Sequence, residues 1–260
     1  LERIEAVITE AIKRSGICSL RIKNKNIEKI IEEGIKEIDV IGVTLGPGLA
    51  IALGIGVNKA KELALKYDKK LVSVNHIEGH IWANLLKNRN GKPERKIEFP
   101  ALAMTVSGGH TKLVLIEKTE KYEVVGETLD DAAGEALDKA AKMLGLGYPG
   151  GPIIERLAKD GDINFLDLPH PLVDKNILDY SFSGLKTSFY YKIKDWPKEK
   201  IYQNLNNLAA TFQNSVFETL LRKYKLAIEK YKPKTILASG GVLSNLELRK
   251  RLRKLANEVD

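Results

Sequence analysis

Hydrophobic residues recur every three to four positions across residues 1–17, at Leu1, Ile4, Ile8, Ala11 and Ile12. That spacing lines one face of an α-helix. A polar stretch at 20–26 separates it from a second helical segment at 27–37. Residues 38–44 form a short apolar, β-branched run that predicts a buried strand. It ends at Gly46-Pro47-Gly48, and a helix of small residues is expected over 49–67. A strand at 71–74 then feeds a helix at 77–86, followed by a charged loop at 87–98. Strands alternating with helices are the mark of an α/β fold.

A second unit opens at Pro100. Residues 101–106 and 111–117 predict two strands around Ser107-Gly108-Gly109, and 122–126 continues the sheet. A helix is expected over 132–144, stopped by Tyr148-Pro149-Gly150-Gly151-Pro152 and resumed at 153–158. Residues 164–186 look mostly irregular. Helices over 201–231, a strand at 235–239 and a basic final helix complete the unit. The expected organisation is a lobe at 1–100 and a second lobe at 101–260. Leu1 stands where a starting Met would be and the last helix ends abruptly, so the sequence reads as a fragment cut at both ends.

With 43% hydrophobic and 29% charged residues in 260, the chain has the make-up of a globular protein with a real core. Collagen, low-complexity disorder and a disulfide scaffold are excluded. Cys18 is the only cysteine, so no internal disulfide can form and a reducing cytoplasm is expected. No apolar run reaches the roughly 18 residues of a membrane span, and no membrane partner is expected. Forty-two Lys and Arg against 34 Asp and Glu leave a net charge of +8, which suits RNA or simply solubility. Candidate RNA-facing cations are Lys87, Arg89, Lys92, Arg95 and Lys96 in the charged loop, and Arg249, Lys250, Arg251, Arg253 and Lys254 in the last helix; each is also an ordinary solvated side chain.

Several residues could carry chemistry. His76 and His80 in His76-Ile77-Glu78-Gly79-His80 would share one helix face with Cβ atoms about 5–6 Å apart, within reach of one metal ion. The bland alternative is a helix cap and a solvated side chain. The glutamate is misplaced for the zinc-peptidase H-E-x-x-H pattern. In Thr105-Val106-Ser107-Gly108-Gly109, two glycines after a strand let backbone N–H groups approach an anion; an ordinary hairpin turn is the alternative. Ser239-Gly240-Gly241 repeats the pattern after a second apolar strand, and two such junctions suggest a nucleotide cleft. Asn245 follows, placed either to contact a base or ribose or to cap a helix. Capping of the helix that follows explains Asp130 or Asp131, whereas Asp138 lies too far in and is a candidate for ribose hydroxyls or a solvated face. Gly151 and Glu155 belong to a rigid turn that could present N–H groups to the same ligand, or merely break a helix. The turn of hydroxyls around Lys186 does not have P-loop spacing.

The segments G-P-G-L (46–49), N-H-I-E-G-H (75–80), S-G-G-H-T (107–111), D-D-A-A-G-E-A-L-D-K (130–139), Y-P-G-G-P (148–152), S-F-S-G-L-K-T (181–187) and S-G-G-V-L-S-N-x-x-L-R (239–249) together resemble the tRNA threonylcarbamoyladenosine transferase family of the TsaD type, in its bacterial form, whose members were formerly called sialoglycoprotein endopeptidases. The resemblance runs from about residue 39 to 251. It implies a two-lobed, actin-like or sugar-kinase-like ATPase fold. It implies transfer of a threonylcarbamoyl group from threonylcarbamoyl-AMP to N6 of adenosine 37 in tRNAs reading codons that start with A. It also implies that His76 and His80 are metal ligands and catalytic, the metal being iron or zinc. By the same resemblance Thr105, Val106, Ser107, Gly108, Gly109, Asp138, Gly151, Glu155 and Asn245 bind the adenylate or ATP/ADP. Expected partners are tRNA, a catalytically inactive paralogue subunit, a small ATPase and an enzyme that makes the adenylate; DNA is not expected. Two family segments have no counterpart here: the opening E-T-S-C-D-E-T-like phosphate loop, and the D-N-A-A-M-I-like segment whose aspartate is the third metal ligand. Asp260 lacks the motif that follows that aspartate and is not assigned its role. The rival readings are a small-molecule kinase of the same fold, a metallopeptidase and a silent scaffold.

Overall fold

Parallel strands joined by a helix, and a meander extended by one parallel strand, are the two sheet patterns in the computed structural model. It describes residues 3–16, 26–87, 90, 91, 94, 96–169, 171, 172, 174 and 176–259. Cys18, Arg89, Lys92, Arg95 and Asp260 lie outside the described residues. Two compact units divide the chain, Leu1–Gly79 and His80–Asp260.

The first unit holds α1 (Ile4–Ser15), α2 (Ile27–Lys36), β1 (Val40–Gly46), α3 (Ala50–Lys66) and β2 (Lys70–Asn75). β1 and β2 pair in parallel, Val40 opposite Lys70 and Thr44 opposite Val74, and α3 makes the crossover that parallel strands require. Asn26 caps α2 by accepting the N–H of Glu28 at 3.0 Å. Ile31 and Ile35 of α2 meet Leu63 of α3, with Ile8 and Ile12 packed against them. The expected burial of β1 is not realised: Val40 and Leu45 are exposed. A two-stranded sheet with one crossover helix covers only part of its surface.

α4 (His76–Trp82) runs through the boundary into the second unit. There, β3 (Ala101–Val106), β4 (Thr111–Lys118), β5 (Lys121–Glu127) and β6 (Thr235–Ser239) form one sheet in the order β5-β4-β3-β6. β3, β4 and β5 are an antiparallel meander, while β6 is parallel to β3. Every residue of β3 is buried, as a central strand covered on both faces must be. The 27-residue α9 (Leu205–Tyr231) supplies much of that cover. Its Tyr224 hydroxyl lies 3.2 Å from the carbonyl oxygen of Leu102 and 2.9 Å from that of Leu237, on adjacent strands. α5 (Ala133–Met143), α6 (Gly150–Ala158), α7 (Ser183–Ile193), α8 (Lys198–Gln203) and α10 (Leu246–Val259) complete the unit.

Two local expectations are corrected. α7 begins in ground read as largely irregular and continues through residues that were assigned to no element; its sequence has little amphipathic period and its N-terminus is capped from far away. Asp130 accepts the N–H of Phe182 at 2.7 Å and of Ser183 at 3.1 Å, and the Ser181 hydroxyl as well. Asp130 and Asp131 therefore do not cap α5. The first N–H of α5, from Ala133, goes instead to the Thr111 hydroxyl at 2.9 Å.

Candidate functional site

The register of β6 on β3 assembles the site. Thr105 lies opposite Ser239, so both strands end level, and Ser107-Gly108-Gly109 and Ser239-Gly240-Gly241 leave the same edge of the sheet. Side chains would keep the following segments apart, but glycines let them close. A Cβ on Gly240 would sit 2.2 Å from the carbonyl oxygen of Val106, and the residue adopts φ +105°. A Cβ on Gly134, in the first turn of α5, would sit 2.7 Å from the Ser107 oxygen and 2.8 Å from Gly108 Cα. A Cβ on Gly150, at the start of α6, would sit 2.5 Å from the Ala141 methyl and 2.9 Å from Asp138 Cα.

These contacts enclose a cavity of about 230 Å³ lined by Gly108, Gly134, Leu137, Asp138, Pro149, Gly151, Pro152, Glu155, Gly241, Val242, Ser244 and Asn245. Five of the nine substrate residues expected from the sequence line it: Gly108, Asp138, Gly151, Glu155 and Asn245. The other four do not. Thr105 and Val106 are buried inside β3. Ser107 closes the turn, its backbone N–H donating to the His110 carbonyl at 2.8 Å and its hydroxyl accepting the His110 N–H at 3.1 Å. Gly109 is exposed at the tip of that turn. Gly134 was not among the expected site residues, although a glycine in the first turn of a helix is a sign of close backbone approach; Gly241, part of the second Ser-Gly-Gly junction, also lines the cavity.

The polar residues of the wall also hold the wall together. Asp138 Oδ1 accepts the N–H of Gly150 at 2.7 Å and of Gly151 at 3.2 Å. Capping was set aside for Asp138 because it sits inside α5; the structure shows that it caps the neighbouring α6. Glu155 accepts the N–H of Leu246 at 2.8 Å, and Asn245 Oδ1 accepts those of Glu247 and Leu248 at 3.0 and 3.1 Å. Between them they satisfy three of the first N–H groups of α10. Asn245 Nδ2 donates to Gln213 at 2.8 Å. The helix-cap reading of Asn245 therefore holds for its oxygen, and the residue faces the cavity as well.

Beside the pocket lies an ionic cluster. Asp131 receives Lys139 and Lys186, each at 2.6 Å, and Lys139 also reaches Glu135 at 2.8 Å. Burial works to raise the Asp131 pKa, but the hydrogen bonds and charges of the two ammonium groups outweigh it and hold the carboxyl below its ordinary value. Lys139 is pushed up, chiefly by its hydrogen bond to Asp131. The D-D-A-A-G-E and S-F-S-G-L-K-T segments, about 50 residues apart, are thus direct partners.

His76 and His80 lie on α4, one helical turn apart and half-buried. Neither is the cap, because Asn75 Oδ1 accepts the N–H of Ile77 at 2.8 Å and of Glu78 at 3.4 Å. Ile77 and Ile81 are buried on the adjoining face. Trp82 Nε1 donates to the Tyr122 hydroxyl at 3.0 Å, anchoring the helix end to β5. Two imidazoles at this spacing suit a soft divalent cation. Among the described residues no group of three His, Cys, Asp or Glu converges, so a metal held by this pair would need further ligands.

Residues 20–260 match the sequence profile of tRNA N6-adenosine threonylcarbamoyltransferase. The chain belongs to the tRNA N6-adenosine threonylcarbamoyltransferase family. A member from Thermosipho africanus is 41% identical over 257 residues, 99% of this chain and 76% of its own length. A member from Dictyoglomus turgidum is 45% identical over 251 residues, covering 95% and 72%. Two solved structures share the fold at low identity. Full-length HypF in the phosphate- and nucleotide-bound form has a TM-score of 0.59 at 12% identity, over 91% of this chain and 46% of its own. HypF of T. kodakarensis gives 0.56 at 14%, over 91% and 40%. The α/β, actin-like fold expected for this threonylcarbamoyltransferase family agrees with these likenesses. Among the described residues no helix is long and apolar enough to cross a membrane.

Proposed function

We propose that this chain transfers a threonylcarbamoyl group from threonylcarbamoyl-AMP to N6 of adenosine 37 in tRNAs that read codons starting with A, and that the cavity of the second unit holds the AMP portion of the donor. One observation carries the reading: two parallel strands in register deliver their Ser-Gly-Gly ends to one cavity with Asp138, Gly151, Glu155 and Asn245. ATP or ADP would be held in the same place. The lobes 1–100 and 101–260 remain our functional division, because the nucleotide-binding sheet begins at Ala101.

The adenine amine is a poor nucleophile, its lone pair being delocalised into the ring, but the carbamoyl–phosphate anhydride is already activated. The new bond joins N6 to the carbamoyl carbon, the carbon–oxygen bond to phosphate breaks, AMP departs and N6 gives up a proton. What the chain must supply is position and stabilisation of charge. The backbone N–H of Gly108, which lines the cavity, and that of Gly109, at the exposed tip of the same turn, are suited to the phosphate or the developing oxyanion. One such donor is worth roughly 3–4 kcal/mol in oxyanion holes. Asp138 commits Oδ1 to α6, leaving Oδ2 for ribose hydroxyls. Holding the two reactants together contributes about 7–11 kcal/mol in favourable cases, the larger share. His76 and His80 would hold a divalent iron or zinc ion, which supplies Lewis-acid polarisation when bound.

Transfer RNA is the macromolecular substrate, and an inactive paralogue, a small ATPase and the adenylate-making enzyme are the proposed partners, in the cytoplasm. Of the basic residues proposed to face RNA, Arg251 is already engaged, with Glu247 at 2.8 Å and Asn214 at 2.7 Å. The decisive experiment is mass spectrometry of tRNA after incubation with the full-length protein, its partners, ATP, threonine and bicarbonate. Threonylcarbamoyladenosine at position 37 is expected. Release of ADP without tRNA, and no modified nucleoside, would favour a small-molecule kinase instead.

A further inference from the structure

The outer face of α7 and α8 plays no part in the cavity, yet its composition is unusual. Tyr190 and Tyr191 of α7 and Tyr202 of α8 are 47%, 61% and 60% exposed. Scattered apolar side chains on a surface need no explanation, but the rings of Tyr190 and Tyr191 meet with centres 5.6 Å apart, and paired exposed rings suit a contact site. Lysines are interleaved with the rings. Lys194 Nζ lies 4.9 Å from the centre of the Tyr191 ring, and Lys200 Nζ lies 4.0 Å from that of Trp196. Lys192 and Lys198 add two further exposed charges, against Asp195 and Glu199.

This face leads to the cavity. The Tyr202 hydroxyl lies 3.9 Å from where a Cβ on Gly145 would be, so α8 rests against the turn that follows α5. The same turn continues through Leu146, Gly147 and Tyr148. With Glu135, Lys139 and Lys142 these residues border an open hollow of about 420 Å³, which shares Gly108 and Asp138 with the cavity. Tyr148, at the rim, is 85% exposed.

We propose that this strip is where the anticodon loop of tRNA docks, with bases stacking on Tyr191, Tyr202 and Tyr148 and phosphates meeting Lys194, Lys200 and Lys142. Single-stranded RNA offers flat base faces and regularly spaced negative charge, and exposed rings alternating with ammonium groups complement both. A protein partner would be met by an apolar patch with few charges at its centre, unlike this one. The inference rests on the reading that the chain modifies tRNA, and it places the loop beside Gly108 and Asp138, where the donor's reactive end would be.

The test uses the full-length enzyme with its partner subunits and measures binding of tRNA and of an isolated anticodon stem–loop by fluorescence anisotropy across a salt series. Nucleotide affinity is measured on the same samples. The Tyr191→Ala/Tyr202→Ala variant is expected to bind both RNAs at least about tenfold more weakly at every salt concentration, since each stacked base contributes measurably. The Lys194→Ala/Lys200→Ala variant is expected to show a shallower dependence of log affinity on log salt, by about 0.7 per lysine. Nucleotide affinity and circular dichroism are expected to match the wild type, and Lys118→Ala, on the sheet, to change nothing. Unchanged RNA affinity and slope in both variants overturns the proposal. So does loss of subunit assembly with RNA affinity intact, which would make the face a protein interface. If the wild type binds RNA through this face but forms no modified nucleoside, the proposed reaction fails while the docking surface stands.

Discussion

Asp138 Oδ1 accepts the N–H of Gly150 at 2.7 Å, so a carboxylate within one helix terminates the next. One side chain thereby both shapes the cavity wall and faces the cavity. Asp138→Ala removes the acceptor from Gly150 and Gly151 and is expected to cost about 1–2 kcal/mol in unfolding free energy, as lost helix caps do. Asp138→Asn keeps an oxygen for the cap but loses the charge and replaces the second acceptor oxygen with an NH2 donor. It is expected to unfold close to the wild-type urea midpoint while binding nucleotide more weakly. Equal nucleotide affinity in Asp138→Asn and the wild type would remove Asp138 from the binding set.

Gly240 and Gly241 are neighbours with opposite sensitivities. A methyl group on Gly240 has no room beside Val106 and would sit on a left-handed backbone. Gly240→Ala is expected to destabilise the unit by about 3 kcal/mol or more. Gly241→Ala meets nothing within 4 Å and is expected to fold normally, its effect confined to the ligand. Thermal melts with and without nucleotide distinguish the two.

Tyr224 and Tyr180 are both fully buried phenols, and they should respond differently to loss of the hydroxyl. Tyr224→Phe leaves the strand carbonyls of Leu102 and Leu237 without that partner and is expected to cost about 1–2 kcal/mol. The Tyr180 hydroxyl has no hydrogen-bond partner among the described residues. Tyr180→Phe is therefore expected to be neutral or stabilising. Urea unfolding of the two variants gives the comparison directly.

The Asp131 cluster predicts a pH dependence. Its carboxyl is held below the ordinary 3.8 in the folded chain. The stabilisation is thus complete above that value and is lost as pH falls from about 4 through the lowered pKa, where the unfolded chain binds the extra proton. Wild-type stability should fall more steeply than that of Asp131→Asn over this acidic window, and the two should run parallel from about pH 5 to 7. Denaturant titrations at a series of pH values measure both slopes.

His76→Ala is expected to abolish transfer and reduce bound metal while leaving the circular dichroism spectrum unchanged, since the side chain is half-buried and α4 is capped by Asn75. Normal metal content and turnover in this variant would falsify the assignment of the pair.

Much of this architecture could be read from periodicity. The meander, the parallel strand and α9 follow from apolar runs and long helical spacing, and both Ser-Gly-Gly ends were visible as glycines after strands. What could not be read was which distant groups would meet. Asp130 caps α7 and Asp138 caps α6, and a cap supplied from elsewhere in the chain leaves no trace in local spacing. α7 escaped for the same reason, its start at Phe182 being fixed by Asp130 from 52 residues upstream. Thr105 and Val106 belong to a motif that reaches the cavity only at Gly108, because those two positions are taken up inside the sheet.

The packing around the cavity is defined by missing atoms. At Gly134, Gly150 and Gly240 even a methyl group would collide with main chain or a packed alanine. Those positions offer no handle for reshaping donor selectivity, because enlarging them pries the scaffold apart before it alters the guest. If the cavity holds the donor as proposed, tuning toward a bulkier or differently substituted base has to proceed from Val242 and Ser244, which line it and are not buried in the core.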